Sequence, residues 1–240
     1  MHLRRAMKLA AGRTGVFSVM SYMKGVNDIF KLDFEIANKY YMMTTNYLLV
    51  KGVLTKSPYV PMPKQVEFIE DKKYMSGYNL LSDKRSLDAI EVSYISETIE
   101  NNFLDMKLLT GFAQVATEIE VKKYFIEGKE LLKKHITELS NMLLQSDIEP
   151  PNTLAGKVTD STQTPFSDKL MMYINGLLSS TPLVFTGLDT PFSMRNDLPL
   201  KLGLISKDIF EYSKKGGKIM IEHKWMEQPP QMEYRNYLTK

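Results

Sequence analysis

One series of residues limits the possible folds more than any other. Leu198, Leu202, Ile205, Ile209, Tyr212, Gly216, Ile219 and His223 step by four and three in strict alternation. That spacing keeps one face of an α-helix turned to a partner for seven turns and is the seam of a helical bundle. Two further stripes match it: Val92, Ile95, Ile99, Phe103, Met106 and Ala113, then Val121, Phe125, Gly128, Leu132, His135, Leu139 and Met142. They predict helices over about 87–117 and 118–146. A third helix is expected from Phe166-Ser167-Asp168 to about 193, kinked at Pro182, where Ser179, Ser180 and Thr181 can satisfy freed backbone groups. Asn196–Asp197 is expected to cap the fourth.

Connection lengths predict the topology. Turns near 117–118 and 194–197 are short and join antiparallel neighbours, whereas 147–165, with Pro150, Pro151, Gly156 and Pro165, can cross the bundle. Two hairpins joined by one long crossover is the ferritin-like arrangement. The fold expected is therefore all-α, with a ferritin-like four-helix bundle at 87–226 and a tail at 227–240. Trp225 is expected to pack over the bundle end.

Upstream, residues 3–25 are rich in Ala, Gly and Ser and read as a helix built for close approach. Leu32, Ile36, Tyr40, Met43, Tyr47, Val50 and Leu54 stripe the next helix, with Asn27–Asp28 expected as its cap. Residues 1–56 thus predict a helical hairpin, and 57–86, with Pro58, Pro61 and Pro63, an extended linker. Gly25-Val26-Asn27-Asp28 echoes Met194-Arg195-Asn196-Asp197, so the hairpin reads as the second half of another bundle.

The chemistry is read mostly by exclusion. Cysteine is absent, which removes disulfides, thiolate metal sites and thiol nucleophiles. No run of about eighteen apolar residues occurs, so no membrane-spanning helix is expected. An unbroken apolar signal segment is lacking too, and a cytoplasmic location is expected. A net charge of +3 with interspersed lysines gives no nucleic-acid footprint. Phosphate-loop, G-x-S-x-G and G-x-G-x-x-G patterns are missing. The bundle raises carboxylate-bridged di-iron chemistry, which requires Glu-x-x-His. Leu132 precedes His135 by three and Met220 precedes His223 by three, so the signature is absent and no cofactor is expected.

The weak candidates for a mononuclear metal or ligand site are His135 and His223, on core stripes, and Glu97, which shares a helix face with Glu100. Buried hydrogen-bonded imidazoles and solvated carboxylates are the plainer readings, Asp105 included. Tyr40, Tyr41, Tyr47 and Tyr124 sit at helical spacing and are expected in the core.

Several runs carry a resemblance: Leu108-Leu109-Thr110-Gly111-Phe112-Ala113-Gln114-Val115-Ala116, Glu120 to Glu130, Lys133-Lys134-His135-Ile136, Asp160-Ser161-Thr162, Pro165 to Met172 and Trp225 to Pro230. The chain resembles a family of uncharacterised proteins of endospore-forming bacteria, related to spore coat proteins of the coat-F type. The resemblance implies tandem ferritin-like bundles, here without the first two helices of the first bundle. It also implies a link to sporulation or the spore coat, and it carries no catalytic residues. The function expected is a non-enzymatic structural or interaction protein, with protein partners or self-association through the N-terminal hairpin. The alternative is a small-ligand or mononuclear-metal binder, or an enzyme, using a bundle pocket.

Overall fold

The computed structural model describes residues 1–54, 58–77, 84–151, 158–189 and 193–235, with only the backbone path over 181–189. All regular structure among them is helical: α1 (His2–Met20), α2 (Lys24–Val50), α3 (Ala89–Val115), α4 (Ile119–Leu144), α5 (Asp168–Asp189) and α6 (Asp197–Glu222), plus a 3-10 turn at Lys72–Met75. The stripes explain the packing. α3 lies against α4 and α5, and α6 against α4 and α5, so these four helices close around a shared interior, while α1 packs along α2.

The interior has two layers. Val92, Ile95, Ile99, Leu139, Leu198 and Ile205 fill one, and Leu109, Phe112, Val121, Phe125, Met171 and Tyr212 fill the other. Burying a large aliphatic side chain contributes roughly 1.5–3 kcal/mol, so these stripes account for the association of the four helices. Trp225 packs against the second layer, and its backbone N–H donates to the Met220 carbonyl at 2.8 Å.

Helix ends depart from expectation in instructive ways. α2 begins at Lys24, three residues before the anticipated Asn27–Asp28 cap. Asn27 lies inside the helix, where its amide donates to the Ser18 carbonyl of α1 at 2.6 Å and closes the hairpin turn. Asn196 does occupy the N-cap of α6, but its side chain caps nothing and its N–H donates to the Met75 carbonyl. The first turn of α4 is capped from another helix. Asp168, buried at the start of α5, accepts from the Thr117 and Glu118 N–H groups and the Thr117 hydroxyl. A carboxylate there meets both orphan donors and the positive end of the helix dipole. The backbone of α5 is helical through Pro182, and the Thr181 and Pro182 side chains lie outside the described residues.

The largest departure concerns what α2 faces. Its apolar stripe is turned to solvent: Leu32 is 56% exposed, Ile36 45%, Tyr40 45%, Met43 55%, Tyr47 62% and Val50 87%. Ala37 and Leu48 are the buried positions, on the face toward α1. Tyr40 and Tyr47 are thus not core residues, whereas Tyr124 is. Close approach of α1 explains the burial: a Cβ at Gly15 would rest 3.7 Å from the Phe34 ring, and Phe17 meets Phe30 with ring centroids 5.5 Å apart.

Candidate interaction surface

At the centre of the four helices, where facing side chains of such bundles hold cofactors, two tyrosines interlock. Tyr124 of α4 and Tyr212 of α6 stack with centroids 4.3 Å apart and planes 5° from parallel. Each hydroxyl donates to the other residue's carbonyl at 3.3 Å, and the Asn175 amide donates to both hydroxyls. Burial raises the Tyr124 phenol to about 12 and moves Tyr212 upward too. Each ring lies over a glycine of the opposite helix, Gly216 under Tyr124 and Gly128 under Tyr212. The same Tyr-x-x-x-Gly spacing occurs in both helices, a signal that could have revealed the interlock from sequence. The cavity beside it, between Asp105, Gly128, Asn175 and Tyr212, has about 20 Å³, room for about one water.

The three candidate site residues lie in separate surroundings. His135 is fully buried, with Nε2 3.4 Å from an Asp208 carboxylate oxygen and Nδ1 without a partner among the described residues. Burial lowers its pKa against the opposing pull of Asp208. His223 ends α6, stacks on Trp225 at 4.4 Å, and has Nε2 3.5 Å from a Glu120 oxygen. Glu97 pairs with Lys8 at 2.5 Å and accepts from the Asn101 amide. Among the described residues no group of three His, Asp or Glu side chains is placed to share a metal ion.

His135 has a measurable consequence. Its folded pKa lies below that of the unfolded chain, which takes up a proton near pH 6.5. Stability is therefore constant above that pH and falls below it, by at most about 1.4 kcal/mol per pH unit, until the folded residue also titrates. Denaturant unfolding between pH 7.5 and 5 is expected to show this slope, and His135→Leu to reduce it, leaving the share of His2, whose pKa burial also lowers.

Glu97, Glu100 and Asp105 are not solvated surface carboxylates. They receive α1. Arg4 donates to Glu100 at 3.2 Å, Lys8 pairs with Glu97, and the buried Arg5 pairs with Asp105 and donates to the Asn101 carbonyl. Arg13, farther along α1, donates to the Leu177 carbonyl and the Ser180 hydroxyl of α5. Burial brings the Arg5 guanidinium down to about 10 against the pull of Glu97 and Glu100. Burial pushes the Glu97 carboxyl up, but Lys8 and Asn101 outweigh it and hold the group below its ordinary range. Glu100 is raised by its burial. A polar seam of this kind fixes orientation more than it adds affinity.

With α1 turned to the bundle, α2 is outermost. Its unburied stripe begins one turn earlier, at Ile29, which is 61% exposed. The turn before it adds Met20, Tyr22 and Met23, at 66%, 100% and 73%. A contiguous exposed apolar row of this length is uncommon on a monomeric surface. No described helix is long and apolar enough to cross a membrane.

A second concavity, a groove of about 720 Å³, lies between the start of α1, α3 and residues 158–166. Met1, His2, Lys107, Phe112, Val158 and Phe166 line it; His135, His223 and Glu97 do not.

Comparison with known proteins bears on these features. A family model described as "Protein of unknown function (DUF3231)" matches residues 75–238. Among solved structures, the chain is similar to one named a "putative spore coat protein" from Bacillus halodurans C-125. Identity is 17% and the TM-score 0.54, over 62% of this chain and 97% of that one. Likeness at that identity is likeness of fold. No curated protein matches the chain.

Proposed function

As the chain belongs to the family described as DUF3231, we propose that it is a non-enzymatic structural protein of the bacterial spore, acting in or beneath the coat by protein–protein contact. The observation that carries this reading is the apolar row on α2, exposed along the whole helix. The named role of the Bacillus halodurans neighbour, whose fold is shared, supports the location. In this reading α3–α6 form a ferritin-like bundle, two hairpins joined by the long 145–167 crossover. Its centre holds stacked tyrosines in place of metal ligands, consistent with a sequence that has no Glu-x-x-His. The α1–α2 hairpin, half of a second bundle, is the adhesive element, and 57–86 join the two domains.

A fluorescent fusion followed through sporulation in the native host tests the location. A ring around the forespore is expected, whereas diffuse signal in vegetative and sporulating cells alike would remove the coat assignment. A second reading, small-ligand binding, has one observation behind it, the groove over Phe112. It predicts a ligand that protects the start of α1 and residues 158–166 from proteolysis.

A further inference from the structure

We propose that the face of α2 is covered by α2 of a second copy of this chain, packed antiparallel across a two-fold axis that passes between Lys39 and Tyr40. This rests on the interaction reading above and names its partner. Level positions in an antiparallel helix pair are those equidistant from the axis, and the exposed stripe is self-matched about this point. Ile29 falls opposite Val50 of the second copy, Leu32 opposite Tyr47, and Ile36 opposite Met43, while the two Tyr40 rings meet at the axis. No other centre pairs the row with itself so completely.

Charge agrees with this register. On the N-terminal side of the axis α2 carries Asp28, Asp33 and Glu35 with Lys24, Lys31 and Lys39, and on the other side it carries no charge before Lys51 at the C-cap. All seven are exposed and form no ion pair among the described residues. The two-fold axis places Asp28 level with Lys51 of the second copy, closing both ends of the apolar row, and sets the charged half of each helix against the uncharged half of the other.

Size agrees as well. From the fractional exposures, the seven stripe residues present on the order of 800 Å², close to the roughly 800 Å² that each partner gives to a stable specific interface. The same patch on both subunits is the isologous contact of a two-fold dimer, and two hairpins so joined form a four-helix unit with the apolar rows inside.

The absence of native cysteine gives a clean test on the full chain, because an introduced cysteine is the sole thiol. Tyr40→Cys is expected to form a disulfide-linked dimer on mild oxidation. Ile29→Cys and Val50→Cys are each expected to stay unlinked alone, since like positions then lie roughly 30 Å apart along the helices. Mixed together, those two link to each other. In sedimentation, the unsubstituted chain is expected as a dimer at micromolar concentration. Asp28→Lys and Lys51→Asp are each expected to weaken it about tenfold, and the double exchange to restore it.

A monomer at that concentration, or Ile29→Cys linking to itself, would overturn the proposal. If the chain is monomeric while a folded Ile36→Asp variant loses its place at the forespore, the interaction reading stands and the occupant is another protein. If Ile36→Asp disrupts the dimer but leaves the ring intact, the dimer stands and the assignment of α2 as the adhesive face fails.

Discussion

Gly128→Ala and Gly216→Ala each lower the melting temperature by about 8 °C, as thermal unfolding followed by far-UV circular dichroism is expected to show. A Cβ at Gly128 would overlap the hydroxyl and ring of Tyr212, with a Leu109 methyl 2.8 Å away, and one at Gly216 would overlap Tyr124. Neither tyrosine can step aside, because each is stacked on the other and bonded to the opposite backbone and to Asn175. Overpacking of this kind costs about 1–3 kcal/mol, and about 2–4 °C of melting temperature accompanies each kcal/mol in a chain of this size. Gly217 is the control. A Cβ there meets nothing within 4 Å, so Gly217→Ala is expected to be neutral or to gain up to about 1 kcal/mol from helix propensity.

The second large effect is at Glu91. Its side chain is buried, takes both Arg85 guanidinium nitrogens at 2.7 and 2.8 Å, and also accepts from the Asp88 N–H at 3.0 Å and the Arg195 N–H at 3.2 Å. Asp88 in return caps the Glu91 N–H, a reciprocal capping box. Arg85 lies over the Tyr74 ring at 4.0 Å, and buried Arg195 pairs with Asp197, so one carboxylate joins the 3-10 turn, the start of α3 and the entrance to α6.

Removing one member of a buried ion pair costs about 3–5 kcal/mol, and Glu91→Ala is expected in that range. Burial alone would raise the Glu91 carboxyl, but Arg85 and the two N–H donors outweigh it and hold the group below the ordinary glutamate range. A depressed folded pKa stabilises above the unfolded value of about 4.3 and loses that contribution as pH falls through the folded one. Unfolding below pH 4.5 is therefore expected to be steeper in the unsubstituted protein than in Glu91→Gln. That window is separate from the one set by His135.

How far the sequence reaches is clearest in particular elements. The α6 row from Leu198 to Ile219 and the α3 row at Val92, Ile95 and Ile99 are buried as their periodicity requires, because a repeat sustained over many turns leaves one face. The α2 row is equally regular yet lies in solvent: periodicity identifies an apolar face and is silent about what covers it. The partners of the α3 carboxylates are hidden from the sequence for a similar reason. Glu97, Glu100 and Asp105 look like surface residues until Lys8, Arg4 and Arg5, about ninety positions away, are placed beside them. Asn27 and Asn196 have the composition of caps, and Asn196 does stand at the N-cap of α6, but Asn27 lies inside α2 because its amide is used on the Ser18 carbonyl across the turn. The Asp168 cap of α4 has no local signal, since donor and acceptor belong to different helices.

In the proposed function, the exposed face of α2 holds this protein in an assembly at the spore. The most direct measurement compares fluorescent fusions of the unsubstituted chain and an Ile36→Asp/Met43→Asp double variant in the same sporulating host, with circular dichroism of both purified proteins. This reading leads one to expect a forespore ring for the first and diffuse signal for the second, with matching helical content. A ring of equal intensity from the double variant would contradict it.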